Sequence, residues 1–514
     1  MFSPDFFNIL SCCPQKYAYK ICYLEIIAYV EIKEIISSIK STFSNSFDIF
    51  AREFTVGDKS CAYMFIDGES DKQLLEQDVL RPLLHIDNFY PPYLDKLQQL
   101  VNYSEQIKMT TVSGAPDIIA QGDIVFFIDN EDVAYVFSIR KFDKRAISEP
   151  PTASVLKGPR EGFIEEIKTN ISMVRRRIKS TKLVVKNLQI GRYSVSTVAV
   201  LYINGIACQD VVDDLTKKLE AIDIDGIIDS AYITSFIESH KYSIFNQAGT
   251  TEKPDIVAAK LLEGRIAIMV DGTPIVITVP YLLLEDLQDG YDYYSNDWRA
   301  TMIRIFRFIG AMLTVLLPGA YVALQSYHTH LLPLKFLITL LSATTDIPFP
   351  PAIEMLVVLT LFEVLNQASI RMPRFMGISL SIVGAIVLGD TAVKSGLISS
   401  PAVLVTALSA IGIFCVPDQV GTLSILRLLF LCASAVLGFL GILILLILTI
   451  GYLVSLENFG TPYLAPFAPR ISPDLKDALF KDSVSNMKQR PYSIPTKNRT
   501  RLSNNNFKEV NRND

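Results

Sequence analysis

Leu428–Leu456 reads LLFLCASAVLGFLGILILLILTIGYLVSL, a stretch without one charged side chain. A helix needs roughly 20 apolar residues to cross the hydrocarbon layer, so this run is expected to cross with some tilt, with Arg427 standing before it and Glu457 after it. Upstream lie four more apolar runs: Phe308–Tyr327, a broken one from Lys335, Phe375–Val393, and Ser395–Pro417. Residues 1–297 lack such runs and alternate short apolar strands with amphipathic helices. The expected fold class is therefore an α/β soluble N-terminal region of two similar subdomains plus a C-terminal α-helical polytopic membrane domain.

Composition narrows the function classes. The 514 residues carry 48 Lys and Arg against 53 Asp and Glu, a formal charge of −5, which gives no broad basic surface for nucleic acid. The seven cysteines (Cys12, Cys13, Cys22, Cys61, Cys208, Cys415, Cys432) have no paired ligand spacing. They are expected to be buried free thiols, with no metal and no cofactor. Met1–Val30 lacks the basic start, apolar centre and small-residue cleavage site of a signal peptide. The soluble part is therefore expected on the cytosolic side of a membrane.

Two soluble segments repeat one order of elements. Ala62–Asp67 reads as a strand ending at Asp67-Gly68, followed by a helical pattern over Lys72–Leu84. Val198–Ile203 reads as a strand ending at Asn204-Gly205, followed by a helical pattern over Gln209–Ile222. Each is followed by a hairpin signal, Asp123–Ile128 turning at Asp129-Asn130 into Val133–Ile139, and Arg265–Val270 turning at Asp271-Gly272 into Thr273–Val279. Asp-Gly suits a tight type I′ turn. Duplication of one α/β subdomain is expected, joined near Pro150-Pro151, where consecutive prolines exclude a continuous helix. The organisation is an extension (1–40), a first subdomain (41–149), a linker (150–160), a second subdomain (161–297), a membrane domain (298–470) and a basic tail (471–514). Between the subdomains, Glu161–Lys179 reads as a charged helix on which Arg175, Arg176 and Arg177 are candidates to face anionic headgroups, the alternative being a salt-bridged helix face.

Arg299, Arg304 and Arg307 precede the first membrane run; positive charge is retained on the cytosolic side, and these three join Arg175, Arg176 and Arg177 as lipid-facing basic candidates. The second run breaks at Asp346, Pro348, Pro350 and Pro351. Freed backbone groups at membrane depth need protein or cavity water, so the break is expected to be re-entrant, discontinuous or interfacial. Beyond it, Glu354 and Glu363 lie nine positions apart and do not share a helix face. Asp390 and Lys394 are one turn apart and able to pair, either lining a polar path or anchoring a helix end. These four are the candidates for an ion or coupling path. Between four and six crossings are compatible with the sequence.

Several phrases resemble the A-subunit family of bacterial spore germinant receptors, the GerA family. They include Pro159-Arg160-Glu161, Arg175-Arg176-Arg177-Ile178-Lys179-Ser180, Glu252-Lys253-Pro254-Asp255, Val270-Asp271-Gly272-Thr273-Pro274, Pro348-Phe349-Pro350 and Phe459-Gly460-Thr461-Pro462-Tyr463. The resemblance runs in order from about residue 155 to 470 and departs at Asn246, at Thr344-Thr345 and at Asp390. It implies a multi-pass protein of the inner membrane of the bacterial spore, acting beside a transporter-like B subunit and a lipoprotein C subunit. It further implies a homo-oligomer of A subunits that responds to small nutrients and starts ion release, as a channel or channel-like transducer. A secondary transporter and a non-channel scaffold are the alternatives. No phosphate-binding loop, zinc helix or nucleophile elbow is present, so an enzyme is not expected.

Overall fold

The computed structural model describes residues 31–87, 89–101, 107–140, 157–371 and 389–502. The Pro150-Pro151 join, most of the run Phe375–Val393, and Cys12, Cys13 and Cys22 lie outside these residues. The chain forms two compact units, Met1–Arg145 with Ile171–Lys186, and Ala146–Asn170 with Asn187–Asp514.

The first unit contains α1 (Ile32–Thr42), β1 (Ile49–Val56), β2 (Lys59–Ile66), α2 (Tyr93–Leu100), β3 (Lys108–Thr111), α3 (Ala115–Ile119), β4 (Ile124–Ile128) and β5 (Val133–Phe137). Asp71 accepts from the amides of Gln73 and Leu74, which starts the helical stretch through Leu84. Because successive strand side chains point to opposite faces, β2 feeds two cores. Cys61, Tyr63 and Phe65 face the layer of Leu75, Leu83 and Leu97, while Ala62, Met64 and Ile66 face Ile35, Ile39 and Ile119. Both faces are covered, so β4 is buried throughout.

Next come α4 (Ile167–Arg177), β6 (Leu183–Ile190), β7 (Ser196–Ile203), α5 (Gln209–Glu220), α6 (Ser230–Ile237), β8 (Gly249–Thr251), α7 (Pro254–Glu263), β9 (Ile266–Val270) and β10 (Val276–Val279). The two sheets run β1-β2-β4-β5-β3 and β6-β7-β9-β10-β8. Adding five to each index of the first order yields the second, so the expected duplication is present. Asp67-Gly68 follows β2 and Asn204-Gly205 follows β7, with Gly68 and Gly205 both at positive φ (94° and 83°). Pro254 opens α7, and Gly264 closes it at φ 100°.

One local expectation fails. The β9–β10 connection spans residues 271–275 rather than forming a two-residue type I′ turn, and within it Gly272 takes a positive φ while Asp271 does not. Gly272 donates to the Glu165 carbonyl at 2.8 Å, and the Asp271 carboxylate accepts the Ile167 amide at 3.2 Å. These contacts hold the loop open against the start of α4.

The membrane domain contains α8 (Asp297–Ser326), α9 (Leu334–Thr344), α10 (Pro351–Arg371), α11 (Ser400–Ile413), α12 (Val420–Leu437) and α13 (Phe439–Ser455). Asp297–Ser326, Pro351–Ser369 and Pro417–Leu437 are each long and apolar enough to cross a membrane, and the protein is multi-pass. The break at Asp346–Pro350 separates α9 from α10, as the prolines require.

The last apolar run is not one crossing. Gly438, at φ 61° and ψ −139°, divides it into α12 and α13. A Cβ there would meet Tyr327 and His328 at 3.0–3.1 Å. The Tyr327 hydroxyl donates to the carbonyls of Ala435 and Val436, which the end of α12 leaves without helical donors. Arg427 is accordingly an interior residue of α12 rather than the charge before a span.

Contacts along the bundle give directions. Gly310 of α8 lies against Gly412 and Cys415 at the end of α11, so these helices run antiparallel; Gly319 lies against Phe430, and α12 runs with α8. Chain leaving α13 returns to the second subdomain, where the Asn458 side chain donates to the Gln247 carbonyl and the Leu283 amide donates to the Tyr463 carbonyl at 3.0 Å. Beyond that, Lys497 donates its amide to the Ile206 carbonyl at 2.9 Å and Arg490 donates to the Leu262 carbonyl at 2.6 Å. The tail and the second subdomain thus occupy one end of the bundle.

Candidate functional site

Helix α8 contains Pro318, which has no N–H to offer the carbonyl of Thr314. A carbonyl freed in hydrocarbon must find another donor. The Ser409 hydroxyl of α11 supplies it at 2.9 Å, and the Thr314 hydroxyl donates back to the Ser409 carbonyl at 3.0 Å. Small residues allow this approach: an added Cβ on Gly412 would fall 2.4 Å from both the Gly310 carbonyl and the Thr314 hydroxyl.

The same Ser409 hydroxyl accepts from Arg427 of α12 at 3.4 Å, and Arg427 is only 3% exposed. Its guanidinium also donates to Glu363 of α10 at 3.2 Å and lies over the Phe362 ring. Thr314, Ser409, Arg427 and Glu363 therefore form one polar chain across four helices. An ion pair at this depth survives because both partners and the neighbouring hydroxyls are engaged.

Glu354, the other acid of α10, is 2% exposed and accepts the Ser399 amide at 2.5 Å. Ser399 caps α11 through its hydroxyl, so the Glu354 carboxylate sits at the positive end of that helix. Asp390 and Lys394 pair at 2.7 Å as their spacing requires, but their side chains are 59% and 75% exposed and meet neither glutamate. Asp346, Pro348 and Pro350 are exposed, and Pro351 is the first residue of α10.

The arginines are placed differently from the expectation that they face lipid. Arg175 is 1% exposed inside the first unit, where it donates to Asp48 at 2.7 and 2.9 Å and to Ser46 at 3.1 Å. Burial with a planar carboxylate partner removes it from any headgroup. Arg176 and Arg177 are half-buried, and Arg177 donates to the Met173 carbonyl at 2.8 Å. Arg304 is fully buried, held by Asp292 at 3.0 Å and Asp477 at 2.9 Å. Arg307 meets the same Asp292 at 2.8 Å. Arg299 is exposed beside Tyr291, and Trp298 is exposed next to it, as an interfacial anchor would be.

A second polar cluster couples soluble and membrane parts. Asp286, 8% exposed, accepts from the Tyr281 hydroxyl and from Gln419, immediately before α12, at 2.7 Å. Burial pushes its carboxyl up to about 7, against the lowering effect of those two hydrogen bonds, with Asp418 and Glu285 adding like charge. Next to it, Glu285 takes Arg265 and Lys260 as partners.

Sequence reasoning missed Arg427, Ser409, Asp286, Asp292 and Asp477. A lone proline at Pro318 within an apolar run was the readable signal for a donor from another helix. Of the four cysteines among the described residues, all free, Cys61 alone is buried, with its thiol pushed up to about 12 by desolvation; Cys432 is exposed. Among the described residues no three His, Cys, Asp or Glu side chains are grouped to hold a metal.

A model of the family described as Bacillus/Clostridium GerA spore germination protein matches residues 37–493. Spore germination protein KA of Bacillus subtilis (strain 168) is 35% identical over 475 residues, covering 91% of this chain and 87% of that protein. Spore germination protein GerLA of Bacillus cereus is 31% identical over 473 residues, covering 91% and 96%. The crystal structure of the N-terminal domain of the A subunit of the Bacillus megaterium spore germinant receptor GerK3 aligns at 30% identity and a TM-score of 0.38, covering 49% of this chain and 96% of that one.

Proposed function

The chain belongs to the GerA spore germination family, as a receptor protein of A-subunit type and not an enzyme, and from that premise we propose that it transduces nutrient binding into ion release across the inner spore membrane. In this reading it acts as an oligomer of A subunits with a transporter-like B subunit and a lipoprotein C subunit, its soluble part in the cytosol. The observation that carries the proposal is the polar chain Thr314–Ser409–Arg427–Glu363, which joins four membrane helices at a depth where polar groups are costly. Helix α8 links that chain to the Arg304 clamp on Asp292 and Asp477. Coupling requires two states that a nutrient-bound partner biases, and making or breaking the Arg427–Glu363 pair between α12 and α10 would distinguish them.

Ion flux from liposomes holding the protein alone and with its partner subunits tests the reading. Nutrient-dependent flux that Arg427→Met abolishes at equal protein level is expected. Saturable solute exchange without ion flux would instead favour a transporter. For the orientation, a cysteine placed at the 271–275 loop should resist impermeant reagents applied outside intact cells.

A further inference from the structure

We propose that the cavity between the second subdomain and the returning tail, about 580 Å³ in volume, is a binding site for a small soluble organic anion. The volume lies in the range of roughly 300–1,000 Å³ that holds small ligands. Leu282, Leu284, Met487 and Leu502 supply apolar surface for a ligand body.

The charge argument rests on which lining groups are already engaged. Asp474 accepts from the Tyr492 amide at 2.9 Å and from the Ser493 amide and hydroxyl at 2.6 and 2.5 Å. Asp477 takes Arg304 and the Tyr293 hydroxyl, and Glu285 takes Lys260, Arg265 and the Leu282 amide. Glu263 lies 3.4 Å from the Arg265 Nε, a contact that is not a hydrogen bond, and burial holds its carboxyl above the usual range. On the cationic side, Lys476, Lys488 and Arg501 line the rim, are exposed, and form no ion pair among the described residues. Arg265 is 5% exposed and already paired with Glu285 and, at 3.4 Å, with Glu263, so it is not counted among the free cations.

The three rim cations Lys476, Lys488 and Arg501, unpaired among the described residues, add positive charge over an apolar floor. Ammonium and guanidinium groups at the rim without a paired acid favour an anion, and a carboxylate accepts hydrogen bonds from both kinds of donor. The site is independent of ion conduction, because it is read by binding alone.

The test uses the full chain in phosphatidylcholine nanodiscs with 4-fluorobenzoate as the probe, followed by fluorine NMR; 4-fluorobenzamide and 4-fluorobenzylamine serve as neutral and cationic controls. Saturable benzoate binding is expected, weakened at least about ten-fold when Lys488→Gln and Arg501→Gln are combined, since two rim charges are then lost. An unchanged melting temperature in that variant identifies the loss as one of binding. Equal affinity for the benzamide, unchanged affinity in the double variant, or no saturable benzoate binding overturns the proposal. Loss of benzoate binding in nanodiscs containing phosphatidylglycerol would assign the cavity to a lipid headgroup and overturn it as well.

Discussion

The Ser409 hydroxyl lies 2.9 Å from the Thr314 carbonyl, the one acceptor in α8 that Pro318 deprives of its helical donor. A proline in one helix is thereby matched by a hydroxyl in another. Ser409→Ala should destabilise the bundle by about 1–3 kcal/mol, the cost of an unsatisfied buried polar group. Pro318→Ala restores the missing N–H, so the double variant should recover most of the loss. Thermal unfolding of the four proteins in one detergent checks this, and additive losses would separate the two residues.

Arg427 and Glu363 form an ion pair in which one partner is buried and the other one third exposed. Glu363→Gln leaves the guanidinium without its counter-charge and should cost about 2–5 kcal/mol. Replacing both residues by Met should cost less than the sum of the single changes. Melting temperatures at equal detergent concentration give the coupling energy, and a coupling near zero would show that the pair does not hold the helices.

Asp286 gives a pH dependence whose sign follows from its raised carboxyl. In the unfolded chain it titrates near the usual aspartate value and in the fold at about 7. Its contribution to stability is fully present below the unfolded value and is lost as pH rises through 7. Asp286→Asn should therefore flatten the decline in melting temperature between pH 4.5 and 8, with its largest relative gain at the alkaline end. Parallel curves for variant and parent would remove Asp286 as the titrating group.

Asp390 and Lys394 pair at 2.7 Å but are mostly exposed. Exposed pairs contribute little, so Asp390→Asn and Lys394→Met should each change stability by less than about 1 kcal/mol. Measured against that quiet background, nutrient-triggered ion release is informative. A shared loss of release, smaller in the double variant than the sum, places the pair in the coupling path, whereas unchanged kinetics assigns it to anchoring.

The soluble fold was legible because period-two burial and glycine turns are local signals. Gly68 and Gly205 mark equivalent strand ends, and both take the positive φ that their position requires. The Asp271-Gly272 turn was misread, since its geometry depends on Glu165, a hundred residues away. In the membrane, Glu354 and Glu363 stand out in the sequence by their charge, whereas Arg427 reads as a boundary residue, because hydropathy does not register Gly438 as a stop. Ser409, Asp292 and Asp477 carry no local mark of importance. Each matters through a partner on a distant segment, and such pairings are set by packing.

The membrane segment has both of its ends tied to the same subdomain. It enters through α8, clamped at Arg304, and leaves through Asn458 and Tyr463, whose partners are Gln247 and Leu283. A helix bundle hung from two points on one body behaves like a bucket on its handle: severing either attachment lets it swing, and only severing both lets it go. Trimming the tail beyond Pro466 would therefore leave the Asn458 and Tyr463 hanger in place and loosen the other, because Arg304 would keep Asp292 and lose Asp477.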